Sequence, residues 1–114
     1  MVIVRIVESL IEEIKKKFSN TEANKIIDLI ETLEENPNKG KLLGPVGGIV
    51  IKELKYEGFR FYFITDGFKL KCMKQKELVD LLIKFVRMSD KKHQQKVIEE
   101  IKNILITIGA GGFE

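Results

Sequence analysis

The stretch from Ile49 to Thr65 constrains the fold of this chain more than any other part of its sequence. Apolar and polar residues alternate along most of it, which is typical of strands with one buried face, and Glu57-Gly58 interrupts the alternation. We therefore predict two strands, Ile49 to Tyr56 and Phe59 to Thr65, joined by a tight turn. Because a lone hairpin is only marginally stable in water, other elements must cover it.

The second predicted strand has two different faces. Phe59, Phe61 and Phe63 share one face, since successive side chains of a strand point to opposite sides of the sheet. We expect these rings to pack on helices. Arg60 and Tyr62 would then point away from that packing.

Two helical patterns precede the hairpin. Residues 2–7 are a candidate edge strand, and a first amphipathic helix then runs to about Phe18. Ser19 and Glu22 have the spacing of a capping box, so a second helix begins there, and Pro37 disfavours its continuation. The two helices form a predicted αα-hairpin with an acidic solvent side.

The sequence patterns in the rest of the chain are less regular. Residues 40–48 form a glycine-rich loop without the order of a phosphate-binding P-loop. Asp66-Gly67 is typical of a type I′ hairpin turn, and residues 68–77 are a hairpin extension or an irregular insertion. Residues 78–88 fit a buried strand or a helix, and we favour the strand because the hairpin needs partners. A last helix begins near Ser89, its predicted N-cap, with a buried stripe from Val97 to Ile108.

These elements predict an α+β fold. An N-terminal αα-hairpin packs on a small, curled antiparallel sheet, and a C-terminal helix follows. Residues 1–108 form a single domain of a size that supports one core, and residues 109–114 form a flexible tail.

Charge is unevenly distributed along the chain. Residues 38–93 carry thirteen Lys or Arg against six Asp or Glu, whereas the flanking segments are net acidic. This distribution favours a polyanionic partner, although lysines on solvent-facing strands would produce it too. The one cysteine, Cys72, is expected in the core; it excludes an internal disulfide and favours the cytoplasm. We predict no metal site, no cofactor, no signal peptide and no membrane span.

Two stretches resemble the RelE/ParE toxin superfamily, and within it the HigB-like, phage-derived branch. "GIVIKELKYEGFRFYF" is similar to the family's strand signatures through Glu53, Leu54, Lys55, Arg60 and Tyr62. "FVRMSDKKHQQKVIEEI" is similar to its closing motif through Phe85, Arg87, Ser89, Lys91 and Glu99. With the αα-hairpin the resemblance covers nearly the whole chain. The chain departs from the family at Met88, at the extra segment 68–77, and in having no tyrosine after Tyr62.

The resemblance implies a toxin-like, metal-independent RNA endonuclease that acts on ribosome-bound message. The RNA's 2′-hydroxyl attacks the adjacent phosphorus, and the protein supplies cations and proton transfer. On this interpretation the catalytic residues are Arg60, Arg87 and His93. The residues expected to bind RNA or phosphate are Lys55, Tyr62, Lys84, Lys91 and Lys92. Arg60 would clamp a phosphate, His93 would exchange a proton, and Tyr62 would stack on a base.

This interpretation requires Arg60 and the Arg87–His93 turn to meet on one open side of the sheet. Simpler roles stay open: Arg60 as an ion-pair partner of Glu53, and His93 as an ordinary surface residue. The alternative function is a non-catalytic binding protein of a mobile element or virus, either gyrase-inhibitor-like or a protein-interaction module. Expected partners are RNA, the ribosome or another polyanion, and an antitoxin protein or a second copy of the chain is also compatible.

Overall fold

The structure is a computed structural model that describes residues 2–78 and 80–113, without the side chain of Gln75. The strands are β1 (Ile3–Ile6), β2 (Lys41–Val46), β3 (Ile49–Tyr56), β4 (Phe59–Asp66) and β5 (Leu82–Asp90). The α-helices are α1 (Glu8–Lys17), α2 (Asn20–Glu31), α3 (Gly67–Cys72) and α4 (Gln94–Thr107). Short 3-10 turns occupy Thr32–Glu34, Gln75–Glu77 and Ala110–Gly112.

The described strands form one sheet in the order β1-β5-β4-β3-β2. The α+β class is confirmed. The predicted edge strand at the N-terminus is also confirmed as β1. The αα-hairpin therefore follows a strand and is not the first element of the chain. The antiparallel prediction is corrected to a mixed sheet, because β1 runs parallel to β5. Residues 7–81 separate these two strands, which gives ample length for a parallel connection.

The central hairpin forms as predicted. β3 and β4 pair in continuous register from Ile49 opposite Asp66 to Tyr56 opposite Phe59, and Glu57 in their turn has a φ of 54°. The glycine-rich stretch is not a loop, because its residues 41–46 form β2. Its register shifts between Leu42 and Gly44, where Gly44 has a φ of 147° that a side chain would disfavour.

Helices α1 and α2 cover the phenylalanine face of β4. The predicted cap is confirmed, since Ser19 Oγ accepts a hydrogen bond of 3.2 Å from the backbone N–H of Glu22. Phe18 stands edge-on to Phe59, with ring centres 4.9 Å apart, and also contacts Phe61. Phe59 and Phe61 therefore pack against the end of α1 as expected. The ring of Phe63 instead packs on that of Phe85 in β5, with centres 4.7 Å apart.

Between β4 and β5 two local predictions are wrong, and one of the two alternatives for residues 68–77 is excluded. Asp66 does not start a type I′ turn; its Oδ1 accepts from the backbone N–H of Lys69 at 3.0 Å and caps α3. The segment after it is consequently helical rather than a hairpin extension. Cys72 lies at the exposed end of this short helix, outside the core.

The strand prediction for residues 78–88 is confirmed over β5, while Leu78 and Leu81 are buried just before it and Val79 lies outside the described residues. The predicted start of the last helix is wrong. Ser89 is part of β5, and α4 begins at Gln94.

Helix α4 and the residues after it cover the second face of the sheet. Ile98, Ile101 and Leu105 are buried along α4, but Ile108, predicted in the buried stripe, is exposed. The segment predicted as a tail packs inward, with only 1% of Phe113 exposed. Arg60 and Tyr62 point away from the phenylalanine packing, as predicted. Because this second face is covered, they are buried, and the expectation of an open side of the sheet is wrong for these two residues. No helix in the described ranges is both long and apolar enough to cross a bilayer.

Candidate functional site

The strand register gathers most of the predicted site residues on one face. Lys55, Arg60 and Ser89 lie side by side across β3, β4 and β5. The next row holds Glu53, Tyr62 and Arg87. Residues at paired positions share a face, so Arg60 and Arg87 lie on the same side of the sheet. We call these two rows the arginine face.

Arg60 is less accessible than a phosphate clamp would need to be. Only 8% of it is exposed, and its Nε lies 4.0 Å from Oε2 of Glu53, which is also buried. Its Nη1 donates to the carbonyl of Gly58 at 3.3 Å. Within the described part of the chain, neither Arg60 Nε nor Glu53 Oε2 has a hydrogen-bond partner. The geometry therefore fits the simpler role of Arg60, as the neighbour of a buried carboxylate.

Arg87 is held by the C-terminal part of the chain. Its Nε donates to Oε1 of Glu100 on α4 at 2.7 Å, and its Nη1 donates to the carbonyl of Val86 at 2.8 Å. The guanidinium also lies 5.3 Å from the centre of the Phe113 ring. Arg87 remains partly exposed, but an anion that approaches it must compete with the carboxylate of Glu100.

The turn between β5 and α4 positions the histidine. Oδ1 of Asp90 lies 2.8 Å from Nδ1 of His93 and also accepts from the backbone N–H of His93 at 2.9 Å. The hydrogen bond with the imidazole is the largest cause that lowers the pKa of Asp90, and the one from the backbone N–H of His93 lowers it further. The pair fixes the ring through Nδ1 and leaves Nε2 for another partner. Lys91 and Lys92 are exposed in the same turn.

Tyr62 and Ser89 form a buried pair at the centre of the arginine face. Their hydroxyl oxygens are 2.7 Å apart, and Tyr62 is completely buried. Burial is the main reason that the pKa of Tyr62 is raised. The ring is therefore not accessible to a nucleic-acid base in this conformation.

The two remaining lysines lie at the margins. Lys55 is exposed beside Arg60. Lys84 lies opposite Ile64, one row beyond Arg87, and its Nζ donates to the carbonyl of Ala110 at 3.1 Å. The structure thus groups Lys55, Arg60 and Arg87 on one face, and puts Lys91, Lys92 and His93 in the turn that ends it.

Sequence reasoning missed two carboxylates that define this region, Asp90 and Glu100. Asp90 was detectable, because an acid three residues before a histidine at a helix start has the spacing of a turn contact. Glu100 gave no local signal, since its partner Arg87 belongs to another element. Among the described residues, no group of three or more His, Cys, Asp or Glu side chains has the arrangement of a metal site.

Comparison with known proteins gives one structural likeness. No protein-family model matches the sequence, and no curated protein matches it. The crystal structure of the isolated E. coli RelE toxin is similar to 90% of this chain over 98% of its own length, with 15% sequence identity and a TM-score of 0.48. At that identity the likeness concerns the arrangement of the backbone, and it assigns no activity.

Proposed function

We propose that the protein is a toxin-like, metal-independent RNA endonuclease of the HigB-like branch of the RelE/ParE superfamily, acting on ribosome-bound message. The observation that carries the proposal is the Asp90–His93 pair. It presents an oriented imidazole beside Lys91 and Lys92, at the end of the strand that carries Arg87. An oriented proton acceptor within a group of cations is what cleavage of RNA by its own 2′-hydroxyl requires.

In the proposed reaction the 2′-oxygen forms a bond to the adjacent phosphorus while the bond from phosphorus to the 5′-oxygen breaks. Nε2 of His93 takes the proton of the 2′-hydroxyl, and water protonates the departing 5′-oxygen. Asp90 acts through His93 by holding its Nδ1 side. The products are a 2′,3′-cyclic phosphate and a 5′-hydroxyl.

In this proposal some cations contact phosphates directly and others contribute only positive potential. Arg87 moves from Glu100 to the phosphate, where negative charge increases in the transition state. Lys91 and Lys92 hold neighbouring phosphates, and Lys55 extends this surface along β3. Arg60, which is buried beside Glu53, contributes positive potential rather than a direct contact.

The proposal is tested in a translating extract by mapping message ends. We expect new ends with the wild type and at least a roughly hundredfold slower appearance of ends with His93→Ala, the size expected for loss of a general base. Arg87→Ala should also slow cleavage. Lys25→Ala, a change on exposed α2, is the control and should cleave like the wild type. Intact message with the wild type would overturn the proposal.

A second candidate is a non-catalytic binding protein with this fold, of the gyrase-inhibitor-like or protein-interaction kind. It is favoured by the carboxylates that lie next to both arginines, Glu53 near Arg60 and Glu100 on Arg87. The same experiment separates the two functions, because a non-catalytic binding protein produces no new message ends. Under either function an antitoxin protein or a second copy of the chain remains a proposed partner.

A further inference from the structure

A groove of about 250 Å³ lies away from the arginine face, between β3 and α3. It is lined by apolar side chains and by two lysines, and we call it the Lys52 groove. The lining residues used below are Asn38, Leu42, Val50, Lys52, Leu70 and Lys71. Val50 and Lys52 alternate with Ile51 and Glu53 along β3, so the groove faces the side of the sheet opposite to Arg60.

Lys52 is a buried cation for which the described residues supply no counter-charge. Only 5% of it is exposed, and its Nζ donates to the backbone carbonyl of Asn38 at 3.0 Å. The Phe63 ring centre is 5.9 Å from the same nitrogen. No described carboxylate lies within ion-pair distance of Lys52. An ammonium group has three N–H donors, so most of its bonding capacity has no partner in the described protein.

The other lining residues increase the preference for an anion. Lys71 adds a second cation at the exposed rim, and none of the described residues that line the groove is acidic. Burial also lowers the pKa of Lys52, as expected where its charge is uncompensated. A negatively charged group in the groove would offset that cost.

The walls of the groove are aliphatic, and the start of α3 is held closely against β3. Leu42, Val50 and Leu70 supply its apolar surface. Gly67, the first residue of α3, approaches so closely that a Cβ there would lie 2.8 Å from Cγ1 of Val50. Its backbone N–H donates to the carbonyl of Gly48 at 2.8 Å. Helix α3 is therefore seated directly on β3, and the groove needs no rearrangement to form.

We propose that the Lys52 groove binds a short aliphatic monocarboxylate. The carboxylate accepts hydrogen bonds from Nζ of Lys52, and the hydrocarbon lies between Leu42, Val50 and Leu70. A cavity of about 150 Å³ accommodates benzene, so this groove suits a somewhat larger molecule such as a six-carbon acid. It is too small for a peptide helix, whose diameter with side chains is about 10 Å. The site is independent of the proposed RNA cleavage, since it lies on the other face.

Hexanoate is the probe that tests this proposal, with hexan-1-ol as its neutral counterpart. We expect saturable shifts of the backbone amide NMR signals of β3 and α3 with hexanoate. Binding of hexan-1-ol should be at least about tenfold weaker, because the charged hydrogen bond is absent. Absence of a saturable shift near the groove, or equal binding of the alcohol, would overturn the proposal.

Two variants assign the binding to Lys52. Lys52→Met removes the charged nitrogen, keeps an unbranched apolar stem and should weaken hexanoate binding at least about tenfold. Lys25→Met, on exposed α2, should bind hexanoate like the wild type. If Lys52→Met fails to fold, wild-type affinity measured at increasing pH replaces it, and affinity should fall as Lys52 loses its proton. Unchanged affinity in either case contradicts the proposal.

Discussion

Lys52 and Glu53 are neighbours in β3 with side chains on opposite faces of the sheet, and both are buried. Each has an incomplete set of partners. Lys52 bonds to one backbone carbonyl, and Glu53 has an oxygen 4.0 Å from Arg60 that makes no hydrogen bond to the residues that the structure describes. Burial of a charge costs free energy unless it is paired and hydrogen-bonded. These two residues are thus points where stability is lower than an apolar strand would give.

Lys52 makes the stability of the protein depend on pH. Burial lowers its pKa from the ordinary value of 10.5. Between the lowered pKa and 10.5 the unfolded chain binds more protons than the folded one, so the free energy of unfolding increases with pH in that window. We expect Lys52→Met to reduce this increase, as measured by urea unfolding at several pH values up to about pH 10. Lys25→Met is the control. Equal pH slopes for the wild type and Lys52→Met would contradict the assignment.

At the scale of elements, α4 has two tasks. Its buried stripe completes the core on the second face, and Glu100 on its outer side occupies Arg87. The carboxylate therefore reduces the positive potential that the arginine face offers to a phosphate.

Removal of that carboxylate charge should favour RNA. We expect Glu100→Gln to bind a single-stranded RNA about fivefold to tenfold more tightly at low salt, since a charged partner of Arg87 contributes on the order of 1 kcal/mol. Glu99→Gln changes the same charge one residue earlier on α4, next to Lys102 rather than Arg87, and is the matched control. Fluorescence anisotropy measures both. Equal affinities of the two variants would show that Glu100 does not limit access to Arg87.

The last described residues behave as part of the core. Phe113 is buried and contacts the guanidinium of Arg87. We expect Phe113→Ala to lower the free energy of unfolding by about 3 kcal/mol, the usual cost of truncating a buried phenylalanine. Ile108→Ala, at a position that is 71% exposed, should change it by less than about 0.5 kcal/mol. Chemical denaturation compares them. A negligible effect at Phe113 would support the flexible tail predicted from the sequence.

Local sequence patterns predicted correctly those elements that depend mainly on residues close together in the chain. The alternation in β3 and β4 and the Ser19 cap are of this kind, and both are present in the structure. Asp66 misled because an aspartate before a glycine suits either a hairpin turn or a helix cap, and the residues after the glycine decide between them. Ser89 misled in the same way, since its hydroxyl bonds to Tyr62 in the sheet instead of capping α4.

At the scale of the whole molecule, the sheet separates two chemically different surfaces. The arginine face and the Asp90–His93 turn lie with α4, whereas the Lys52 groove lies away from them. The interpretation of the sequence required Arg60 and Arg87 to share a face, and the strand register puts them on one face. The sequence did not predict how accessible that face is, because coverage by α4 depends on contacts between residues far apart in the chain. The proposed activity therefore depends mainly on whether an RNA phosphate can reach Arg87.

The chemical nature of the cut message tests the proposed function most directly. When message is cut in a translating extract, the reaction mechanism determines the chemical group at the 3′ end of the upstream fragment. Attack by the RNA's own 2′-hydroxyl, with His93 as proton acceptor, predicts a 2′,3′-cyclic phosphate at that end and its loss with His93→Ala. A 3′-hydroxyl end, or the same cyclic phosphate at the same rate from His93→Ala, would contradict the proposed role of the Asp90–His93 pair.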